Sequence, residues 1–343
     1  MKKYKLAIVG ATGVVGKAAL KVLEEKKLHD FEYHLFASKR SSGKKIKFME
    51  KDYYINELTE DSFNNDFDFA IFSAGSETSK KFAPIATSKG CTVIDNSSAF
   101  RMDSNIPLVV PEVNSKEIFN YKGIIANPNC STIQAVTCLK PLDDNFNIKR
   151  IVYSTYQAVS GAGSKGIHDL ENGIENYINN NNLTYYLEKF PIPIFSNCLP
   201  HIDVFLPNGY TKEEEKMINE TRKILGKPNL KITATTVRVP VFNSHSESIN
   251  VEFEKNFESV DNIKNILQNA PGIIVIDDPQ NNKYPTVLDS NGNDYVYVGR
   301  IRKDESVKYG INLWVVADNI RKGAASNAVQ ILEELIKNKI NIF

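Results

Sequence analysis

The sequence has no C-x-x-C pair. Its four cysteines, Cys91, Cys130, Cys138 and Cys198, stand far apart, so neither a zinc nor a disulfide framework is suggested, and the pattern fits a reducing cytosol. Charge of one sign is also lacking: 42 Lys and Arg against 41 Asp and Glu leave a formal net charge of +1, which argues against nucleic acid or an acidic membrane as a partner. No apolar run approaches the length of a membrane span. The nearest imitation of a signal peptide, Met1-Lys2-Lys3 ahead of Leu6-Ala7-Ile8-Val9, is interrupted by the glycines of residues 10–16 before it reaches the length of a signal core. No internal repeat is present, and His29, His34, His168 and His201 form no H-E-x-x-H metal pattern. The expectation is a soluble, cytoplasmic protein without a metal. With 343 residues, 42% of them hydrophobic, the chain has enough for two domains and an ample core.

Residues 6–9 are an all-apolar run of the kind buried strands show, and Gly10-Ala11-Thr12-Gly13-Val14-Val15-Gly16 follows. Val15, Ala19, Val22 and Leu23 then recur at helical spacing to about residue 28. Strand, glycine loop and helix in this order are the context of a dinucleotide-phosphate loop. The glycines let the backbone approach a pyrophosphate, and the helix N-terminus supplies positive potential. The spacing is G-x-x-G-x-x-G rather than G-x-G-x-x-G, so a tight turn without a ligand is the competing reading. A second strand, residues 33–37, ends in Ser38-Lys39-Arg40-Ser41-Ser42-Gly43. An NAD site would carry an acidic residue there for the ribose hydroxyls. Hydroxyls and cations instead suit a 2′-phosphate, which favours NADP over a merely solvated basic turn.

Further strands recur at α/β spacing. Residues 66–72 lead into Ser73-Ala74-Gly75-Ser76 and a helix over 77–88; residues 91–94, 108–110 and 123–126 complete a mostly parallel sheet. Asn127-Pro128 breaks the last run, and Ile133, Val136 and Leu139 follow at helical spacing, so Cys130 falls in the first turn of a helix. Unpaired N–H groups and the dipole there favour an anion, which lowers a thiol pKa and makes the thiolate a usable nucleophile. A small buried hydrophobe is the commoner fate of a cysteine. Ligands bind at the carboxyl edge of such sheets, however, and the glycine loop, Ser73 to Gly75, Arg101 and Cys130 all fall along that edge. The convergence favours the nucleophile.

After residue 144 the pattern changes to long alternating strands at 148–157, 232–241, 248–253, 294–301 and 310–317, with helices over 211–225 and 259–269. This is the signature of an α+β domain with a largely antiparallel sheet covered on one face. The asparagine-rich residues 176–182 read as a surface loop. Lys212-Glu213-Glu214-Glu215-Lys216 reads, on its charges alone, as a solvated helix face on which Glu213 and Lys216 share a side. Residues 323–337 form an amphipathic helix, with Ala328, Ile331, Leu332 and Leu335 on one side, expected to return to the nucleotide domain.

Four motifs in order closely resemble those of the bacterial aspartate-semialdehyde dehydrogenase family: Gly10 to Gly16, Asn127-Pro128-Asn129-Cys130-Ser131-Thr132, Gln157-Ala158-Val159-Ser160-Gly161-Ala162-Gly163, and Arg238-Val239-Pro240-Val241-Phe242-Asn243-Ser244-His245-Ser246. The likeness runs nearly end to end, and the cysteine and Arg-x6-His motifs are highly specific together. The resemblance implies an α/β protein with a Rossmann-type NADP-binding domain (residues 1–128 and 319–343) and an α+β catalytic and dimerisation domain (residues 129–318). It implies NADPH-dependent reductive dephosphorylation of L-4-aspartyl phosphate to L-aspartate 4-semialdehyde through a cysteine acyl-thioester, on the way to diaminopimelate and lysine, threonine and methionine. It also implies a homodimer, in some members a tetramer.

Residue by residue, the resemblance makes Cys130 the nucleophile, His245 the general acid/base and Gln157 the group orienting the thioester carbonyl. Arg238 would bind the substrate α-carboxylate, Glu213 would face its amino group, and Arg101 and Lys216 would be the phosphate cations. Asn129 and the Cys130 N–H would stabilise an oxyanion. Ser160, Gly161 and Asn319 would approach the nicotinamide, completing a cofactor site with Gly10, Thr12, Gly13, Val14, Val15, Gly16, Ser38, Arg40, Ser41, Ser73 and Gly75. N-acetyl-γ-glutamyl-phosphate reductase shares the plan but usually carries Gly-Cys-Tyr where this chain has Asn129-Cys130-Ser131. Glyceraldehyde-3-phosphate dehydrogenase shares the thioester logic but not the spacing of Arg238 and His245. A non-catalytic NADP-sensing protein on this fold would be expected to lack the nucleophile.

Overall fold

Leu6, Ala7, Ile8 and Val9 are fully buried, which places the first strand inside a sheet rather than at its rim. The structure, a computed structural model, describes residues 3–29 and 31–340. Met1 and Lys2 of the signal-like stretch, and residues 341–343 at the end of the expected first domain, lie outside the described residues. The chain divides into two units, Met1–Asn129 with Ala324–Phe343, and Cys130–Gly323.

The first unit opens with β1 (Tyr4–Val9), α1 (Val14–Glu25), β2 (Phe31–Ala37), β3 (Lys45–Phe48) and β4 (Lys51–Glu57). It continues with β5 (Phe69–Phe72), α2 (Ser76–Ser88), β6 (Thr92–Asp95), the short α3 (Pro111–Asn114) and β7 (Ile124–Ala126). The strands form one sheet of order β3-β4-β2-β1-β5-β6-β7, parallel throughout except at the β3–β4 hairpin. The strand expected at 108–110 is a single bridge between Leu108 and Ala126. Pro107 and Pro111 on either side prevent its extension, since neither can donate to a ladder.

The second unit runs through α4 (Cys130–Phe146), β8 (Ile148–Gln157), α5 (Ser164–Asn180), α6 (Lys212–Ile224), β9 (Lys231–Arg238) and β10 (His245–Phe253). It then adds α7 (Val260–Gln268), β11 (Ile273–Val275), α8 (Val287–Ser290), β12 (Val296–Lys303) and β13 (Gly310–Ala317). The sheet order is β11-β12-β13-β10-β8-β9, antiparallel at its three inner pairings and parallel at the two outer ones. Its covered face packs Ile151, Tyr153, Ile249, Val251, Leu313 and Val315 against Leu139, Met217 and Ile263 of the helices. Residues 176–182 are not a loop throughout: α5 continues to Asn180, and Asn181 closes it in the left-handed conformation at φ 49°. Asparagine tolerates that cap, so the asparagine run supplies a last helical turn and its stop.

The chain then returns to the first unit as α9 (Ser326–Ile340), whose Ala328, Val329, Ile331, Leu332 and Leu335 join Leu6, Ile8 and Leu23 in one core. A π turn at Arg321–Ala325 precedes it, so the helix expected from residue 323 begins later. The cuts between units fall after Asn129 and after Gly323 rather than after 128 and 318. Asn319 stays with the second unit because it bonds Ser160 and Ser244 there. Among the described residues no helix is long and apolar enough to cross a membrane.

Candidate active site

Strand register brings the chemistry of the second unit to one sheet edge. Gln157, the last residue of β8, lies beside Arg238, the last of β9. β10 runs antiparallel to β8 and starts at His245, opposite Ala317 at the end of β13. Three residues far apart in sequence therefore meet because three strands end together.

His245 is fully buried. Its Nδ1 accepts the backbone N–H of Ala158 at 3.0 Å, so the neutral ring carries its proton on Nε2. Nε2 has no hydrogen-bond partner among the described residues. Burial and the neighbouring Arg238 push the ring down to about 3, outweighing the opposite pull of Glu213 and of the Ser244 backbone. His245 is thus a neutral donor, not a resting cation. Arg238 is 5% exposed and gives Nη1 to the Ala158 carbonyl at 2.6 Å. Burial lowers its pKa while Glu213 and Cys130 pull it back up. A Cβ at Gly161 would stand 2.9 Å from Arg238 Nη1 and 3.3 Å from the His245 ring, so any other residue at this turn would press on both side chains and shift the guanidinium.

The acidic run at the start of α6 is not a solvated face: Glu213 and Glu214 are 5% and 7% exposed. Glu214 closes a capping box, its carboxylate taking the Thr211 N–H at 2.6 Å while Thr211 Oγ1 takes the Glu214 N–H. Its second oxygen accepts Thr236 N–H at 3.0 Å. That pins the helix to β9 and turns Glu213 inward, where Oε1 accepts from Gln157 Nε2 at 3.2 Å and Oε2 from Lys216 Nζ at 3.1 Å. Gln157 is held at its other end by Thr155 Oγ1 at 3.0 Å. Lys216 also donates to Asp203 at 2.7 Å. Burial pushes the Lys216 ammonium down, but Glu213 and Asp203 together hold it above its ordinary value.

Cys130 is the first residue of α4 and half-buried. Gly323 in the π turn lies directly against it: a Cβ there would be 2.7 Å from Cys130 Cβ. Single π turns recur at functional sites. Asn319 is 2% exposed, and its Oδ1 accepts the Ser244 N–H at 2.9 Å and the Ser160 hydroxyl at 3.2 Å. Asn319 therefore fastens Ser160 and the residue before His245, and Ser244 is held at φ 73°, a left-handed conformation that costs a non-glycine residue about 1–2 kcal/mol.

In the first unit, Gly10 sits at φ 85°, where a Cβ would lie 2.6 Å from the Ser73 carbonyl, and a Cβ on Gly16 would lie 2.1 Å from the Gly10 carbonyl. Both positions demand glycine. Gly13 caps α1 without a side-chain bond, leaving first-turn N–H groups for an anion. Beside them is a cavity of about 460 Å³ lined by Gly10, Thr12, Gly13, Ser38, Ser73 and Phe82. Uncapped donors next to this volume fit a dinucleotide pyrophosphate. Val14 and Val15 start α1, and Gly75, at φ 87°, caps α2. Arg40 is exposed and Ser41 buried in a 3-10 turn after β2. Arg101 is 8% exposed, its Nε on the Asn127 carbonyl and Nη2 on the Asn96 carbonyl, each at 2.9 Å. Asn129, at 7%, is buried in this unit too.

Sequence reasoning missed Asp203, Gly323 and Ala158, which act through a salt bridge, a close approach and a main-chain peptide. None leaves a sequence signal. It also missed Glu247, for which one signal existed: a carboxylate two residues beyond His245 on a strand shares its face.

A glycine loop at the carboxyl edge of a parallel sheet, and a helix-borne cysteine in a second unit with buried histidine and arginine, define a dinucleotide-dependent dehydrogenase. Residues 5–121 match the family model for the NAD binding domain of semialdehyde dehydrogenase, and residues 139–322 the model for its dimerisation domain. The aspartate-semialdehyde dehydrogenase of Aquifex aeolicus is 55% identical over 97% of this chain and 98% of its own. The crystal structure of aspartate semialdehyde dehydrogenase II complexed with ASA from Vibrio cholerae superposes with a TM-score of 0.93 at 46% identity, covering 98% of this chain and 99% of that one. That of the Candida albicans enzyme with NADP does so at 0.77 and 26% identity, covering 98% and 99%. The chain belongs to the aspartate-semialdehyde dehydrogenase family.

Proposed function

We propose that the chain carries out the NADPH-dependent reductive dephosphorylation of L-4-aspartyl phosphate to L-aspartate 4-semialdehyde, feeding lysine, threonine and methionine synthesis. The observation that carries this reading is the meeting of Gln157, Arg238 and His245 at one sheet edge, in a unit whose first residue is Cys130. The Cys130 thiolate, favoured by Arg238 and the start of α4, attacks the acyl carbon. A C–S bond forms, the carbon–oxygen bond to phosphate breaks, and phosphate leaves with the bonding pair. Bound NADPH supplies the hydride that reduces the resulting thioester. Gln157 keeps one amide N–H on Glu213 and turns the other toward the thioester carbonyl. His245 donates from Nε2–H to the oxygen that gains charge. It does not take the Cys130 proton, because Nε2 already holds one and Nδ1 is occupied by Ala158. Collapse of the hemithioacetal breaks C–S and returns the thiolate.

Arg238 takes the substrate α-carboxylate with its planar fork. The buried Glu213 carboxylate takes the free amino group, which supports this substrate over an N-acetylated one. Lys216 takes phosphate. Arg101 and Asn129, in the first unit, are assigned phosphate and oxyanion on the family resemblance. The glycine loop and Ser38, Arg40, Ser41, Ser73 and Gly75 hold NADP, with Ser160 and Gly161 toward its nicotinamide. We place the enzyme in the cytoplasm, as a homodimer formed through the second unit, in keeping with its free cysteines and the dimerisation-domain match.

The test is the reverse assay with L-aspartate 4-semialdehyde, NADP and phosphate, with Cys130→Ala as control. Phosphate-dependent NADPH formation by the wild type alone is the expected result. Turnover of N-acetyl-glutamate semialdehyde instead would move the assignment to the sister reductase, and no turnover of either would overturn the reading.

A further inference from the structure

Glu247 is a fully buried carboxyl that the mechanism above does not use. It lies two residues beyond His245 on β10 and faces Ser131 and Gln134 in the first turn of α4, the turn that begins at Cys130. Neither carboxyl oxygen has a partner at hydrogen-bond geometry among the described residues, and Gln134 Oε1 is likewise without one. The Gln134 amide is oriented by its Nε2, which donates to the His245 carbonyl at 3.4 Å, so Oε1 presents an acceptor and not a donor. The Ser131 hydroxyl can donate to one carboxyl oxygen, which leaves the other oxygen and Gln134 Oε1 as two buried acceptors, a destabilising arrangement. One proton on Glu247 relieves both.

Among the described residues the titratable groups that face Glu247 are Cys138 of α4 and Tyr153 of β8, and no cation is among them. Its neighbours across the sheet, Thr155 of β8 and Val315 of β13, do not titrate. An ionised carboxylate here would have no opposite charge facing it, and its charge would oppose a thiolate at Cys130. We propose that Glu247 is a positioning residue: as a neutral acid it donates to Gln134 and so fixes the first turn of α4, and with it Cys130, against the strand that carries His245. Burial raises the Glu247 carboxyl well above the usual carboxylate range and outweighs the opposite pull of the polar contacts with Ser131 and Gln134; the neutral acid is also the form that gives Gln134 Oε1 a donor while its Nε2 stays on the His245 carbonyl. The catalytic consequence rests on the reaction proposed above; the protonation and the placing of Cys130 do not.

The experiment compares wild type, Glu247→Gln and Glu247→Leu. In the wild type at neutral pH, infrared difference spectra against Glu247→Gln contain the carbonyl stretch of a protonated carboxylic acid. Glu247→Leu, which keeps the volume but not the bond, lowers kcat about 10- to 100-fold with KM little changed, the scale on which a misplaced reacting group acts, and slows Cys130 alkylation by iodoacetamide. Glu247→Gln, which donates from its amide, restores most of that loss and leaves the pH profile of alkylation where the wild type has it. An alkylation profile moved to lower pH by Glu247→Gln would reveal a charge removed, and overturns the proposal. So does an absent acid band, or a Glu247→Leu enzyme that alkylates at the wild-type rate. Alkylation and infrared spectra need no substrate, so a wrong substrate assignment would show separately, as wild-type protein without turnover.

Discussion

The main chain of Ala158 joins the two key side chains of the second unit: its N–H donates to His245 Nδ1 at 3.0 Å and its carbonyl accepts from Arg238 Nη1 at 2.6 Å. One residue, through the two peptide groups that flank it, thus fixes both the proton position on the imidazole and the aim of the guanidinium. A ¹⁵N spectrum of labelled enzyme is expected to show Nε2 protonated and Nδ1 unprotonated, with no change between pH 5 and 8. A ring that titrates within that range would contradict the locked tautomer.

The same burial has a consequence for stability. Between the ordinary value of 6.5 and about 3, the unfolded chain binds a proton at this imidazole that the folded chain does not, so stability is full above 6.5 and falls with acid. Near pH 5 the contribution lost is about 2 kcal/mol, at 1.36 kcal/mol per unit. Urea unfolding of wild type and His245→Gln at pH 7.5 and near pH 5 checks this. The wild type should lose more stability than the variant over that interval, and equal losses would rule the burial effect out.

How much of this could be read in advance follows from what each feature depends on. The glycine loop was legible because Gly10 and Gly16 answer to local needs, a left-handed φ and a close approach. The β3–β4 hairpin was not, because Met49 and Glu50 both hold positive φ, 51° and 60°, in a two-residue turn that Asn-Gly normally signals. Cys130 and His245 were placed by motif. The inward turn of Glu213 was hidden, since it depends on the bond from Glu214 to Thr236 across to β9. Nothing in a run of five charged residues reveals which one a distant strand will bury.

Glu213 yields a specificity prediction. Its carboxylate, already bonded to Gln157 and Lys216, is the group assigned to the substrate amine. Glu213→Gln should raise KM for L-aspartate 4-semialdehyde by about 10- to 100-fold, the scale of a lost charge-assisted bond of about 1.5–3 kcal/mol. Succinate semialdehyde, which lacks the amine, should be affected far less. Steady-state kinetics on both aldehydes decides it: an equal loss on the two would mean that Glu213 orders the site without reading the amine.

Gly323 tests whether Cys130 depends on its packing. A methyl at this position would meet Cys130 Cβ at 2.7 Å and Cα at 3.2 Å. The turn that carries it has little room to yield. The Gly323 N–H bonds the Asp318 carbonyl at 2.9 Å, and the Asp318 carboxylate holds the N–H groups of Ile320 and Arg321 at 2.9 Å. Arg321 in turn forks onto Asp294 at 2.9 and 3.0 Å. The displacement must therefore fall on Cys130 and the first turn of α4. Gly323→Ala is expected to lose about 1–3 kcal/mol of stability, the usual cost of overpacking, and about 100-fold in kcat, since a nucleophile moved by an ångström forfeits that much. NADPH affinity, which we assign chiefly to the glycine loop of the first unit, should change little. Turnover, denaturant midpoint and NADPH fluorescence titration on the one variant separate these effects. A Gly323→Ala enzyme with wild-type kcat would show that the turn and not the cysteine gives way.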